Sequence, residues 1–220
     1  MNIPLHSFLH AGALMPTTLT LTPRTAADIE VLEKTELAKG WGSLERFRLR
    51  HKKYDASWSE VIDRDVYTIG EVAAVLLYDP ALDAVLLTEQ FRTCGLKYDD
   101  ATWLVEIVAG LIEPGVAPDE TARREAREET GTTISHLHHI STFYSSPGGN
   151  GERMHLYLAT ADLTGAGGQF GLAHEHEDIR ATLVTFDDAL AACDDGRIAD
   201  AKTLVALNWL ARHKPRFSPE

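Results

Sequence analysis

At 220 residues, 44% of them hydrophobic and 25% charged, the chain has the length and composition of one folded domain with room for a small extra lobe. Asp and Glu number 33 against 21 Lys and Arg, a formal charge of −12 with no long basic run, which sets nucleic acid aside as the main partner because backbone binding needs a positive footprint. Cys94 and Cys193 stand far apart, which excludes a disulfide framework and a thiolate metal site and fits a reducing cytoplasm. No apolar run approaches the ~20 residues that cross a bilayer, and no Lys or Arg precedes Arg24 to start a secretory signal.

Residues 1–24 are predicted as a flexible N-terminal extension, 25–67 as a β-rich N-terminal lobe and 68–215 as the main domain. In the lobe, extended segments begin at Ile29, at Leu44, where Phe47 and Leu49 alternate with Arg46, Arg48 and Arg50, and at Trp58, the last running to Tyr67. The apolar run from Glu71 to Tyr78, a turn at Asp79, Pro80 and Asp83, and the resumption at Val85 to Leu87 predict a core hairpin. A further strand is expected from Trp103 to Ala109, closed by Gly110. The loop at Glu113, Pro114 and Gly115 then hands over to a helix with Asp119 as N-cap, ending at Thr130 before Gly131. Extended chain follows over 133–144 and 153–161, flanking a loop at 145–150. Residues 164–177 form the longest irregular interior stretch, a length that often serves function. A strand over 179–186, a helix over 187–193 and an amphipathic helix over 199–213 with Leu204, Leu207 and Leu210 on one side complete the chain.

Glu125, Glu128 and Glu129 are spaced i, i+3, i+4 and so share one helical face. Three like charges there repel, and hard oxygen ligands suit Mg²⁺ or Mn²⁺. The rival reading is a solvated helix with Arg123, Arg124 and Arg127 as charge partners. The histidines, notably His136, His138, His139, His174 and His176, lack the spacing of a zinc helix and are expected to face solvent.

Gly110, a loop, then Arg124-Glu125-x-x-Glu128-Glu129-x-Gly131, all directly after a strand, resembles the Nudix box of the Nudix hydrolase superfamily. A chance match to the second part in a chain of average composition is on the order of one in several thousand. One position departs: the family pattern has a Glu six residues after Gly110, where this chain has Val116. The likeness extends over roughly 39–213 and is similar to the ADP-ribose pyrophosphatase group. Gly40-Trp41, Trp58-Ser-Glu60 with Arg64, Glu89-Gln-Phe-Arg92, Glu106 to Gly110, Ser146 to Gly149 with Glu152-Arg153, Glu175 to Arg180, and Asp200-Ala-Lys-Thr203 carry it.

The resemblance implies an α/β Nudix fold, a mixed β-sheet sandwiched between α-helices and preceded by the β-rich lobe. It implies hydrolysis of ADP-ribose to AMP and ribose 5-phosphate, with GDP-mannose or another nucleoside diphosphate sugar, or a non-catalytic ADP-ribose sensor, as alternatives. Glu125, Glu128 and Glu129, the carbonyl of Ala109, and Glu177 would hold more than one Mg²⁺ or Mn²⁺. Glu128 would assist catalysis, and Glu175 would act as general base from a loop that closes over substrate. Trp41 would stack on adenine, Arg64 and Arg92 would meet the diphosphate or adenine side, and Glu152 the terminal ribose. A homodimer with substrate contacts from both chains, and no membrane partner, complete the expectation.

Overall fold

The computed structural model describes residues 18–134 and 136–217. The expected N-terminal extension lies outside the described residues as far as residue 17; residues 18–24 are exposed chain without regular structure. A three-stranded antiparallel sheet comes first: β1 (Ile29–Lys39), β2 (Ser43–His51) and β3 (Ile62–Thr68). Its alternating arginines form cross-strand pairs, Arg46 gripping Asp65 through two bonds of 2.7 Å and Arg50 reaching Glu30 at 2.6 Å. The third strand starts later than the sequence suggests. Trp58 makes one isolated bridge to Lys52, and its ring takes up Arg50 and Lys52 as cation–π partners, so ladder pairing resumes only at Ile62.

The main sheet holds β4 (Glu71–Asp79), β5 (Ala84–Phe91), β6 (Trp103–Glu106), β7 (Val108–Leu111), β8 (His136–Tyr144), β9 (Arg153–Thr160), β10 (Gly168–Phe170) and β11 (Ile179–Thr185). Their spatial order is β10-β11-β5-β4-β9-β8, with β4 and β9 parallel and the other pairs antiparallel. Both faces of β4 are covered, which explains its unbroken apolar run. Ala73, Val75 and Leu77 pack against Ala122 and Ala126 of α1 (Pro118–Thr130). Val72, Ala74, Leu76 and Tyr78 pack against Phe186 and Ala189 of α2 (Phe186–Asp194) and Ala206, Leu207 and Leu210 of α3 (Ala201–His213). The architecture is thus a mixed sheet between helices, as expected. No described helix is long and apolar enough to cross a membrane.

Three further local expectations change. The segment expected as one strand from Trp103 to Ala109 is two, because the β4–β5 hairpin pairs only from Leu77 to Asp79 and then opens. β6 pairs with β5, β7 with β4, and the chain changes partner at Ile107. The N-cap of α1 is Ala117, without a side-chain cap, and Asp119 lies inside the first turn. Pro118 at the first helical position has no N–H to satisfy, which lets the helix begin there. The irregular stretch after β9 contains β10 and a 3-10 turn, Ala173–Glu175.

Candidate active site

The switch at Ile107 sets β7 beside β4, with Ala109 opposite Ala74 and Gly110 opposite Ala73, beneath α1. Ala122 and Ala126, one turn apart and both fully buried, let that helix lie close on the sheet. A Cβ added to Gly110 would stand 1.7 Å from Glu125 Oε1 and 2.6 Å from its Cγ, so only glycine admits the carboxylate there. Gly131 closes the helix in the left-handed region at φ 69°, its N–H returning to Ala126 and Arg127.

The three helix glutamates share a face but not an environment. Glu129 is 2% exposed, and its Oε2 has no hydrogen-bond partner among the described residues. Burial, then the charges of Glu125 and Glu177, push its carboxyl well above the usual range, with Arg92 opposing. Glu125 is 12% exposed. Burial raises its carboxyl to about 7; Glu128 and Glu177 add to the effect, and Arg124 works against it. Arg124 binds both Glu125 Oε1 at 2.7 Å and Glu128 Oε2 at 2.6 Å. The solvated-helix reading therefore holds for one pair, Arg124 and Glu128, and fails for Glu129.

The long loop meets this helix. Phe170 lies against Gly131, and Gly171, at φ 107°, turns so tightly that a Cβ there would come within 2.8 Å of the Glu177 carbonyl. Glu177 N–H donates to Leu172 O at 3.3 Å, and its carboxylate accepts from Leu172 N–H at 3.4 Å. Closure of this short turn holds Glu177 near enough to raise both Glu125 and Glu129. Glu175 ends the 3-10 turn one residue before His176, which takes a left-handed φ of 57°; the Glu175 side chain lies outside the described part of the structure.

Among the described residues no set of three or more His, Cys, Asp or Glu side chains converges as a finished metal site; two of the helix carboxylates are paired with Arg124. Glu129's buried, unpartnered oxygen beside two further carboxylates is nevertheless a donor set suited to a hard divalent cation. No such ion is part of this structure. The fit is chemical: ionised carboxylates buried together require a compensating positive charge.

Of the residues expected at the substrate, Arg92 is brought to this region. Its guanidinium forks onto buried Glu106 and lies within electrostatic reach of Glu129. Trp41, 75% exposed, sits at the β1–β2 turn, and Arg64, bonded to the Asp63 carbonyl, is on β3. Glu152 follows the Asn150 turn that joins lobe to domain, where Tyr67 exchanges backbone bonds with Gly149 and Gly151. No hydrogen bond or ion pair links these three side chains to α1 among the described residues. Glu106 and Lys202 belong to the matching segments but carry no individual role there; a lone Glu within the apolar run Trp103 to Ala109 is the one signal in the sequence that points to the first of them.

Compared with known proteins, the chain matches the NUDIX domain over residues 68–207. It is 37% identical over 193 residues to the ADP-ribose pyrophosphatase of Escherichia coli K12, covering 88% of this chain and 92% of that protein. It is 34% identical over 194 residues to the GDP-mannose pyrophosphatase of Pectobacterium atrosepticum, covering 85% and 99%. A solved structure described as ADP compounds hydrolase superposes with a TM-score of 0.64 over 89% of this chain and 98% of that one, at 17% identity, a likeness of fold.

Proposed function

The chain belongs to the NUDIX domain family, and from that premise we propose that it is a hydrolase that cuts the diphosphate bond of ADP-ribose, giving AMP and ribose 5-phosphate. The observation that carries this reading is the unpartnered carboxylate oxygen of Glu129, buried beside Glu125 and under the influence of Glu177. Glu125, Glu128, Glu129, Glu177 and the Ala109 carbonyl are the groups that would hold Mg²⁺ or Mn²⁺, more than one per site. Such ions, when bound, screen the diphosphate from the acidic helix, orient it and lower the pKa of water.

The chain's own groups have separate tasks. Arg124 keeps the Glu125 and Glu128 carboxylates aligned until they are drawn to cation, and Gly110 leaves space for Glu125. Glu175 is the general base: carried by the turn that Gly171 anchors, it accepts the proton of the attacking water as phosphorus is attacked. Arg92 offers a guanidinium to phosphate oxygens, for which its planar fork is well shaped. Trp41, Arg64 and Glu152 bind adenine, the diphosphate or adenine side, and ribose. Trp41 and Arg64 are exposed on a lobe whose first strand also exposes Ile29, Val31, Leu32 and Leu37, which supports a homodimer that completes its sites across the interface; the two free cysteines suit a cytoplasmic enzyme. GDP-mannose is the second substrate candidate, favoured by the Pectobacterium relative.

A panel of nucleoside diphosphate sugars, read by phosphate release through an added phosphatase, tests the reading. ADP-ribose with Mg²⁺ should yield AMP, and Glu129→Gln should abolish it. An inactive wild type across the whole panel would sink the proposal.

A further inference from the structure

Outside the carboxylate helix, a connected set of charges built round buried Glu106 gathers where β5, β6 and the start of α3 meet. Glu106, with its side chain 3% exposed, accepts from Arg92 Nε at 2.6 Å and Nη2 at 3.0 Å, and from Lys202 Nζ at 2.5 Å. Lys202, itself 12% exposed, also donates to Asp200 Oδ1 at 3.0 Å. Asp200 caps α3, accepting from Thr203 N–H at 3.0 Å and from its hydroxyl at 2.6 Å. That hydroxyl in turn accepts from the Ile107 N–H at 2.9 Å, the amide left between ladders where β6 gives way to β7. Arginine, glutamate, lysine and aspartate thus alternate in sign along one chain of bonds. Burial alone would push Glu106 up and Lys202 down; Arg92 and Lys202 keep the carboxyl below its ordinary value, and Glu106 and Asp200 keep the ammonium above its own.

Stability does not require such an arrangement, since apolar groups of similar volume commonly serve a core as well as or better than a buried ion pair. What it does fix is the orientation of a planar group. Arg92 commits one edge, Nε and Nη2, to Glu106. Its Nη1 bonds to no acceptor among the described residues, the side chain is 40% exposed, and it lies within electrostatic reach of Glu129.

We propose that Glu106 and Lys202 are positioning residues for substrate binding: Lys202 pins the Glu106 carboxylate, which holds Arg92 by one edge and leaves its other edge to receive a phosphate oxygen of the diphosphate. The inference rests on the reading of Arg92 as a diphosphate ligand and names the groups that prepare it.

The test compares wild type, Glu106→Gln, Lys202→Met, Arg92→Ala and the Arg92→Ala/Glu106→Gln double variant. It reads kcat and KM on ADP-ribose, and calorimetric binding of inorganic pyrophosphate in Mg²⁺. Glu106→Gln should raise KM and weaken pyrophosphate binding by about tenfold or more with kcat changed far less, Lys202→Met should do so to a smaller extent, and the double variant should be no worse than Arg92→Ala. Lys202→Met leaves the Arg92–Glu106 pair in place and carries the test if Glu106→Gln does not fold. Unchanged KM and pyrophosphate binding alongside a lowered Tm would make the network structural only and overturn the proposal. Equal effects of Glu106→Gln with and without Arg92 would overturn it too. A wild type inactive on ADP-ribose would instead remove the substrate reading, and the pyrophosphate arm would still decide the positioning role.

Discussion

Glu125→Gln removes one charge from the carboxylate helix while nearly preserving the volume of the side chain. In the metal-free protein, burial, with help from Glu128 and Glu177, lifts the Glu125 carboxyl from its ordinary 4.5 to about 7 against the pull of Arg124. A folded pKa above the unfolded one means that the native state holds the proton more tightly. The resulting stabilisation is full below about 4.5 and is lost as pH rises through about 7. At ~1.4 kcal/mol per pH unit the difference amounts to ~3 kcal/mol, most of it lost between about pH 5 and about pH 8. The side chain is 12% exposed and shares Arg124 with Glu128, so solvent screening makes ~3 kcal/mol an upper bound. Glutamine imitates the protonated form at every pH. In EDTA the variant should therefore match wild type near pH 5 and exceed it near pH 8, by roughly 5–10 °C in Tm at the ~2–4 °C per kcal/mol of a chain this size. Excess Mg²⁺ should reverse the order, because a cation that binds the native state stabilises wild type by mass action and the variant far less. Thermal melts at both pH values, with EDTA and with Mg²⁺, check this. A variant no more stable than wild type near pH 8 in EDTA would refute the assignment of Glu125 as a charge held at a cost to stability.

Two glycine substitutions probe the same site through the backbone. Gly110→Ala places a methyl 1.7 Å from Glu125 Oε1 and should expel that carboxylate, lowering ADP-ribose turnover by about 100-fold while costing only ~1–2 kcal/mol of stability; wild-type turnover would show that Glu125 does not need this position. Gly171→Ala meets both a φ of 107° and the Glu177 carbonyl, so it should cost more than about 1 kcal/mol and lower kcat about tenfold or more as the turn carrying Glu175 and Glu177 shifts; steady-state kinetics with unchanged kcat would count against a base on this loop.

The layered α/β fold was legible in the sequence because its signals are local. The apolar run of β4, the turn at Asp79 to Asp83 and the i, i+3, i+4 glutamates ending at Gly131 depend on spacing along one segment, and they reappear in place. The break at Ile107 was not legible, since nothing in Trp103 to Ala109 tells that β4 and β5 diverge and that each needs its own partner. The N-cap was misplaced because Asp119 is a good cap in isolation, whereas Pro118 begins the helix earlier.

By itself, then, the sequence determined that three carboxylates share a helical face, and by resemblance what such a face is for. Only the tertiary structure decided that they are unequal. Packing of Ala122 and Ala126 on β4 buries Glu129, the missing side chain of Gly110 admits Glu125, and Glu128 stays near solvent in the grip of Arg124. It also decided what stands behind Arg92. Glu106, Lys202 and Asp200 come from segments as much as 96 residues apart. Desolvation is a property of what surrounds a group in three dimensions, so the pattern along the chain could announce the charges but not which of them water leaves unscreened.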